Sequence, residues 1–182
     1  MRTDPNAAVP GPHPLWSYFA RAAWILVQAT VWRLAWKRIP GLRPLIVRVF
    51  GGTVPLGTMI SESVRVYFPW ALSLGKDVSV GPGVNFYNLG GVVLGDRVVI
   101  SQDVYFCGGS HDYTHPRYPL QRKLIVIKSD VWIGAGAFIG PGVSVGQGAV
   151  IGARAVVMKE VPPWKVVVGN PAREIKDRIL SQ

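Results

Sequence analysis

Two histidines four residues apart, His111 and His115, flank Asp112 in a polar stretch that interrupts an otherwise regular chain. An imidazole with a pKa near ~6.5 is half-deprotonated close to neutral pH, so it can take a proton from a weakly acidic hydroxyl. Nucleophilic thiol chemistry has less support. Cys107 is the single cysteine and has no Cys-His-acid spacing, so it reads as a packed small hydrophobe. It also excludes an intramolecular disulfide framework, which fits a reducing compartment. A trihistidine metal centre would need His13 as its third ligand, and His13 lies in a proline-rich start far from the pair.

The elements that must position this stretch repeat every six residues. The clearest run is Ile133-Gly-Ala-Gly-Ala-Phe, Ile139-Gly-Pro-Gly-Val-Ser, Val145-Gly-Gln-Gly-Ala-Val, Ile151-Gly-Ala-Arg-Ala-Val, with the same grammar opening at Leu74, Val80, Leu94, Ile100 and Ile127. A six-residue unit cannot fold alone. Each predicts one short strand and one corner, three units to a coil, in a mainly β parallel β-helix. The opening aliphatic points inward, and the Ala or Val four places on closes the same layer. The fourth place (Asp77, Gly83, Asp103, Asp130, Gly136, Gly142, Gly148) suits a left-handed corner. Arg97 and Arg154 fall on the same place and would be strained there.

The phase slips twice. Tyr87-Asn88-Leu89-Gly90-Gly91 adds two residues, enough for a bulge or small loop, and residues of about 107–126 form a longer insertion carrying His111, Asp112 and His115. Insertions in a solenoid map to loops on one face, often the binding face.

Charge divides the chain further. Of a formal net charge of +10, six charges fall in residues 1–50, where seven Lys or Arg face Asp4 alone. No helix-turn-helix or zinc pattern accompanies them, so anionic lipid is the better expected partner than nucleic acid. Pro5, Pro10, Pro12 and Pro14 mark an irregular start, and residues 15–38 read as a helix with Trp16, Trp24, Trp32 and Trp36. Its uncharged stretch, 22–32, is shorter than the ~20 residues a bilayer span needs. Two readings stay open: a helix lying in a membrane interface, or one packed on the β-helix or a neighbouring subunit. Leu42 to Phe50 predicts a second short helix. Beyond Pro162-Pro163 the hexapeptide grammar stops, and residues 172–180 predict a short helix covering the last coil. The expected units are thus residues 1–50, the β-helix 51–168, and the tail 169–182.

The hexapeptide pattern resembles the left-handed β-helix acyltransferases. Tyr67-Phe68-Pro69-Trp70, Phe86-Tyr87-Asn88-Leu89, Gly109-Ser110-His111-Asp112-Tyr113, Asp130-Val131-Trp132-Ile133-Gly134 and Gly169-Asn170-Pro171-Ala172-Arg173 follow one another in an order similar to the colanic acid biosynthesis acetyltransferases. That resemblance covers nearly the whole chain. It implies left-handed coils, a homotrimer, acetyl-CoA as acyl donor with no metal, and a cytoplasmic protein, peripheral on the inner face of the membrane if the arm binds lipid. It implies an O-acetyl transfer to a sugar hydroxyl of an exopolysaccharide, the acceptor being a sugar or a lipid-linked oligosaccharide.

Residue by residue, the resemblance makes His111 the general base and His115, which precedes a proline, its rival. It places Asn88, with Asn85 as the fallback, Asp112 and Trp132 on the acceptor side. Ala135 and Ala153 would line the pantetheine arm, Lys159 and Arg173 would meet the nucleotide end, and a backbone N–H at Gly134-Ala135 would hold the oxyanion. Met158 departs from the threonine usual before the lysine. Two other functions fit the same fold: a gamma-carbonic-anhydrase-like metalloenzyme and a non-catalytic scaffold.

Overall fold

A computed structural model of the chain describes residues 15–34 and 41–180. Its body is a parallel β-solenoid in which each hexapeptide forms one strand and one corner. Every coil visits three faces in turn. The first face stacks Arg65–Val66, Asn85–Tyr87, Tyr105–Cys107, Phe138–Ile139 and Val156–Val157. The second runs from Met59–Ile60 through Ser79–Val80, Val99–Ile100, Trp132–Ile133 and Val150–Ile151 to Lys165–Val168. The third holds Leu72–Leu74, Val92–Leu94, Ile125–Ile127 and Ser144–Val145.

The inward layers are filled as the period predicts. Ile133, Ile139, Val145 and Ile151 are wholly buried, and so are Ala137, Ala149 and Ala155. Each enclosed Val or Ile side chain contributes roughly 1.5–3 kcal/mol relative to exposure. The corners also fall where the sequence puts them: Asp77, Asp103, Asp130, Gly83, Gly136, Gly142 and Gly148 all have positive φ. Arg97 and Arg154 share that backbone, at φ 55° and 56°. Arg97 is held by a two-pronged ion pair to Asp130 one coil on, Nε to Oδ1 at 2.7 Å and a second guanidinium N–H to Oδ2 at 3.0 Å.

The first phase slip is a wide corner that recurs. Residues 68–71 turn through a 3-10 segment, Pro69–Ala71, and residues 88–91 stack on it. Asn88 is the clamp between the two. It is fully buried, its Oδ1 accepts from the Phe68 N–H at 2.9 Å, and its Nδ2 donates to the Phe68 and Ala71 carbonyls at 2.7 and 3.1 Å.

Among the described residues, three short helices close the N-terminal end: α1 (Leu15–Ala29), α2 (Val31–Leu34) and α3 (Leu42–Val49). The expected helix over 15–38 is interrupted at Thr30, whose hydroxyl donates back to the Leu26 carbonyl at 2.7 Å and competes with the helical ladder; Trp36 lies outside the described residues. One side of α1 caps the solenoid. Trp24 and Trp32 are buried, their indole N–H groups donating to the Val66 and Glu62 carbonyls of the first coil. Arg43 of α3 ties the cap down through the carbonyls of Trp32 and Ile60.

The C-terminal tail corrects the sequence reading. The expected helix over 172–180 is instead a strand, Arg173–Asp177, antiparallel to Lys165–Val168. The open edge of the second face offers a row of unpaired backbone groups, and the tail fills them. Lys165 bridges Glu174 and Asp177 across this hairpin, at 2.5 and 2.7 Å, which raises its pKa above the ordinary lysine value.

Candidate active site

The second insertion is a β-hairpin standing on the corner between the first and third faces. Gly109–His111 pairs with Leu120–Arg122, His111 opposite Leu120, and the Lys123 N–H returns to the Gly108 carbonyl at 2.9 Å so that the coil resumes. The two loop histidines are prepared differently. His111 Nδ1 lies 2.6 Å from the Tyr118 carbonyl oxygen. A carbonyl can only accept, so Nδ1 carries the proton and the lone pair of neutral His111 sits on Nε2. His115 is the reverse, since its Nδ1 accepts from the Arg117 N–H at 3.1 Å, which leaves the proton on Nε2. Of the two exposed imidazoles, only His111 presents a basic outer nitrogen.

Asp112 does not orient either ring. Its Oδ1 accepts from the Thr114 N–H at 3.0 Å and the Thr114 hydroxyl at 2.6 Å, and these bonds hold its carboxyl below the usual range. Asn88, expected on the acceptor side, is fully buried, and every polar group of its side-chain amide is engaged with Phe68 and Ala71. Asn85 is half-buried at the start of a first-face strand, between Arg65 and Tyr105 in the ladder. Trp132 is half-exposed on the second face and donates to the Ser101 hydroxyl at 3.2 Å.

The residues expected along the donor lie on two corners. Ala135 and Ala153 stack on the corner between the second and first faces, where the Arg154 N–H meets the Ala135 carbonyl at 2.8 Å. The Gly134 N–H is taken by the Ile151 carbonyl at 2.7 Å, whereas no described residue accepts from the Ala135 N–H. Arg173 opens the tail strand beside this corner, since the adjacent Ala172 N–H donates to the Val156 carbonyl. Lys159 is exposed on the other corner, the one that carries the His111 hairpin, between Val156–Val157 and the third-face bridge at Val161. Within one subunit, then, the first face separates His111 from Ala135 and Ala153.

Two features escaped the sequence reading. The Tyr118 carbonyl is one, because a backbone oxygen leaves no residue-type signal. The other is a stripe of outward rings on the first face, beside the hairpin: Tyr67 to Tyr87 at 4.9 Å, Tyr87 to Tyr105 at 6.3 Å, and Tyr105 to Phe138 at 5.7 Å. Its signal was alternation about the inward Phe86 and Phe106. Partial burial raises the pKa of the Tyr87 and Tyr105 phenols. Among the described residues no three His, Cys, Asp or Glu side chains gather to hold a metal; His13 lies outside them.

Comparison with known proteins agrees with this architecture. The bacterial transferase hexapeptide (six repeats) profile matches residues 125–159. A solved maltose O-acetyltransferase from Clostridium difficile 630 superposes with a TM-score of 0.80, covering 92% of this chain and 90% of its own at 24% identity. A Vibrio cholerae hexapeptide-repeat acetyltransferase, solved with acetyl coenzyme A, gives 0.77 over 90% and 89% of the two chains, also at 24% identity. In sequence, 159 residues are 38% identical to Escherichia coli (strain K12) WcaF, provisionally named a colanic acid biosynthesis acetyltransferase, over 87% of each chain. With that identity along nearly its whole length, the chain belongs to the hexapeptide-repeat acetyltransferases, in the colanic acid biosynthesis family.

Proposed function

We propose that this acetyltransferase moves the acetyl group of acetyl-CoA onto a sugar hydroxyl during exopolysaccharide assembly, with His111 as general base. The observation that carries the reading is the Tyr118 carbonyl on His111 Nδ1, which leaves Nε2 free to accept a proton. As Nε2 takes the hydroxyl proton, the sugar oxygen attacks the thioester carbonyl. The resulting oxyanion needs a donor already in place, a role suited to the unengaged Ala135 N–H. Collapse expels the CoA thiolate, the imidazolium returns the proton to it, and an acetyl ester remains on the sugar.

The reading requires more than one subunit. His111 and the Ala135–Ala153 corner lie on opposite edges of the first face, so a thioester along that corner reaches the hairpin of a neighbouring copy rather than its own. A closed trimer supplies this pairing at every site. Lys159 and Arg173 would face the CoA phosphates from the two edges of such a cleft.

The test is release of CoA thiol from acetyl-CoA in the presence of free sugars, nucleotide sugars or lipid-linked oligosaccharides, followed by analysis of the product. Acceptor-dependent release with an alkali-labile acetyl ester is expected. An acetamide product, or full activity at a monomeric mass in light scattering, would overturn the reading.

A further inference from the structure

Helix α1 carries a single charge, Arg21, and that charge faces inward, its guanidinium 3.4 Å from the centroid of the Tyr67 ring. The opposite side shows only apolar and aromatic groups, among them Tyr18, Phe19, Ala22, Ala23 and Leu26, with Phe19 78% and Leu26 66% exposed. Single soluble chains seldom leave a contiguous apolar patch of this kind to water. On α3, Leu45 and Val49 are exposed as well, beside Arg48.

We propose that this outward face of α1 lies in the interface of an anionic lipid bilayer. Charge selects the occupant. From residue 15 to residue 61 the sequence contains six Lys or Arg and no acid, and Arg33 on α2 and Arg48 on α3 are both exposed. Glu62, on the first coil, is the first acidic residue to follow. A second copy of the chain docked symmetrically on this face would set these like charges against each other. An anionic surface neutralises them, each basic residue strengthening partition about fivefold. With fifteen residues, α1 is an in-plane helix, and no described helix is long and apolar enough to cross a membrane.

The docking also bears on the acceptor, a consequence that rests on the function proposed above. Trp24 anchors α1 to the first coil at Val66, and the His111 hairpin leaves the solenoid two coils further on, after Tyr105–Cys107. At ~4.8 Å per coil that is about 10 Å, within reach of a sugar carried on a membrane lipid.

The experiment is sedimentation of the full chain with phosphatidylcholine vesicles, with and without phosphatidylglycerol, at low and high salt. Binding is expected only to the anionic vesicles and is lost at high salt. Phe19→Asp with Leu26→Asp should weaken it by about tenfold or more, with solution mass and acetyl transfer to a soluble sugar unchanged. Arg33→Glu with Arg48→Glu should weaken it similarly, and decides the matter if the first variant does not fold. Wild-type protein that ignores phosphatidylglycerol overturns the proposal. So does undiminished binding by the folded variants, or a drop in solution mass on removing Phe19 and Leu26, which would make a second copy the occupant. Since vesicle binding is read without turnover, its failure is distinguishable from failure of the proposed chemistry.

Discussion

His111 Nδ1 and the carbonyl oxygen of Tyr118 are 2.6 Å apart, and Tyr118 presents that oxygen from a left-handed backbone at φ 45°. The contact determines which nitrogen of neutral His111 carries the lone pair, and it does so through a residue seven positions on, in the connection between the hairpin strands.

The first prediction concerns the two histidines. His111→Ala should lower turnover by about 10²–10⁴-fold while leaving acetyl-CoA binding intact. His115→Ala should keep most of its turnover, because the His115 Nδ1 lone pair is already engaged by the Arg117 N–H. Steady-state acetyl transfer with both variants checks this; the reverse pattern makes His115 the base.

Tyr118 should act through its backbone rather than its phenol. Tyr118→Gly suits the positive φ and should preserve kcat. Tyr118→Pro forces φ near −65° and removes the N–H that donates to the His115 carbonyl. Displacing the base should cost about 10–10²-fold in kcat, with the KM for acetyl-CoA unchanged. Equal losses in both variants would point to the phenol.

Asn88→Ala should damage stability. It strands the Phe68 N–H and two carbonyls in a buried corner, and at ~1–3 kcal/mol per orphaned group the cost is about 3 kcal/mol or more. Denaturant unfolding measures it. A raised acceptor KM with unchanged stability would assign Asn88 to the acceptor instead.

The tryptophans of the arm are predicted to hold the cap. Trp24→Phe keeps an aromatic ring but leaves the Val66 carbonyl without its donor, for a loss of about 1–3 kcal/mol. Deleting residues 1–34 uncovers the first coil and should yield aggregating protein.

Acid should weaken the Arg97–Asp130 corner. Hydrogen bonds from Arg97 first, and from Gln147, hold the Asp130 carboxyl below its ordinary value. A depressed folded pKa means the contribution is complete above about pH 4 and is lost as pH falls through the folded value. The Tm difference between wild type and Asp130→Asn should therefore be present at pH 7 and close below about pH 4. A surface pair makes that difference small.

The six-residue period was enough to place the inward aliphatics, the left-handed corners down to Arg97 and Arg154, and the insertion that carries His111. Those features repeat locally, so the residue pattern alone specifies them. Tertiary structure decided the rest. Asn88 matches an acceptor-side residue by resemblance, and only the stacked coil reveals Phe68 and Ala71 as its partners. The tail has a helical composition, yet the open edge of the second face draws Arg173–Asp177 into a strand. Neutral His111 acquires a defined tautomer only when the hairpin folds Tyr118 back against it. In each case the deciding partner is a backbone group brought near by stacking or pairing, and backbone groups are the same in every residue, so no pattern of side chains announces them.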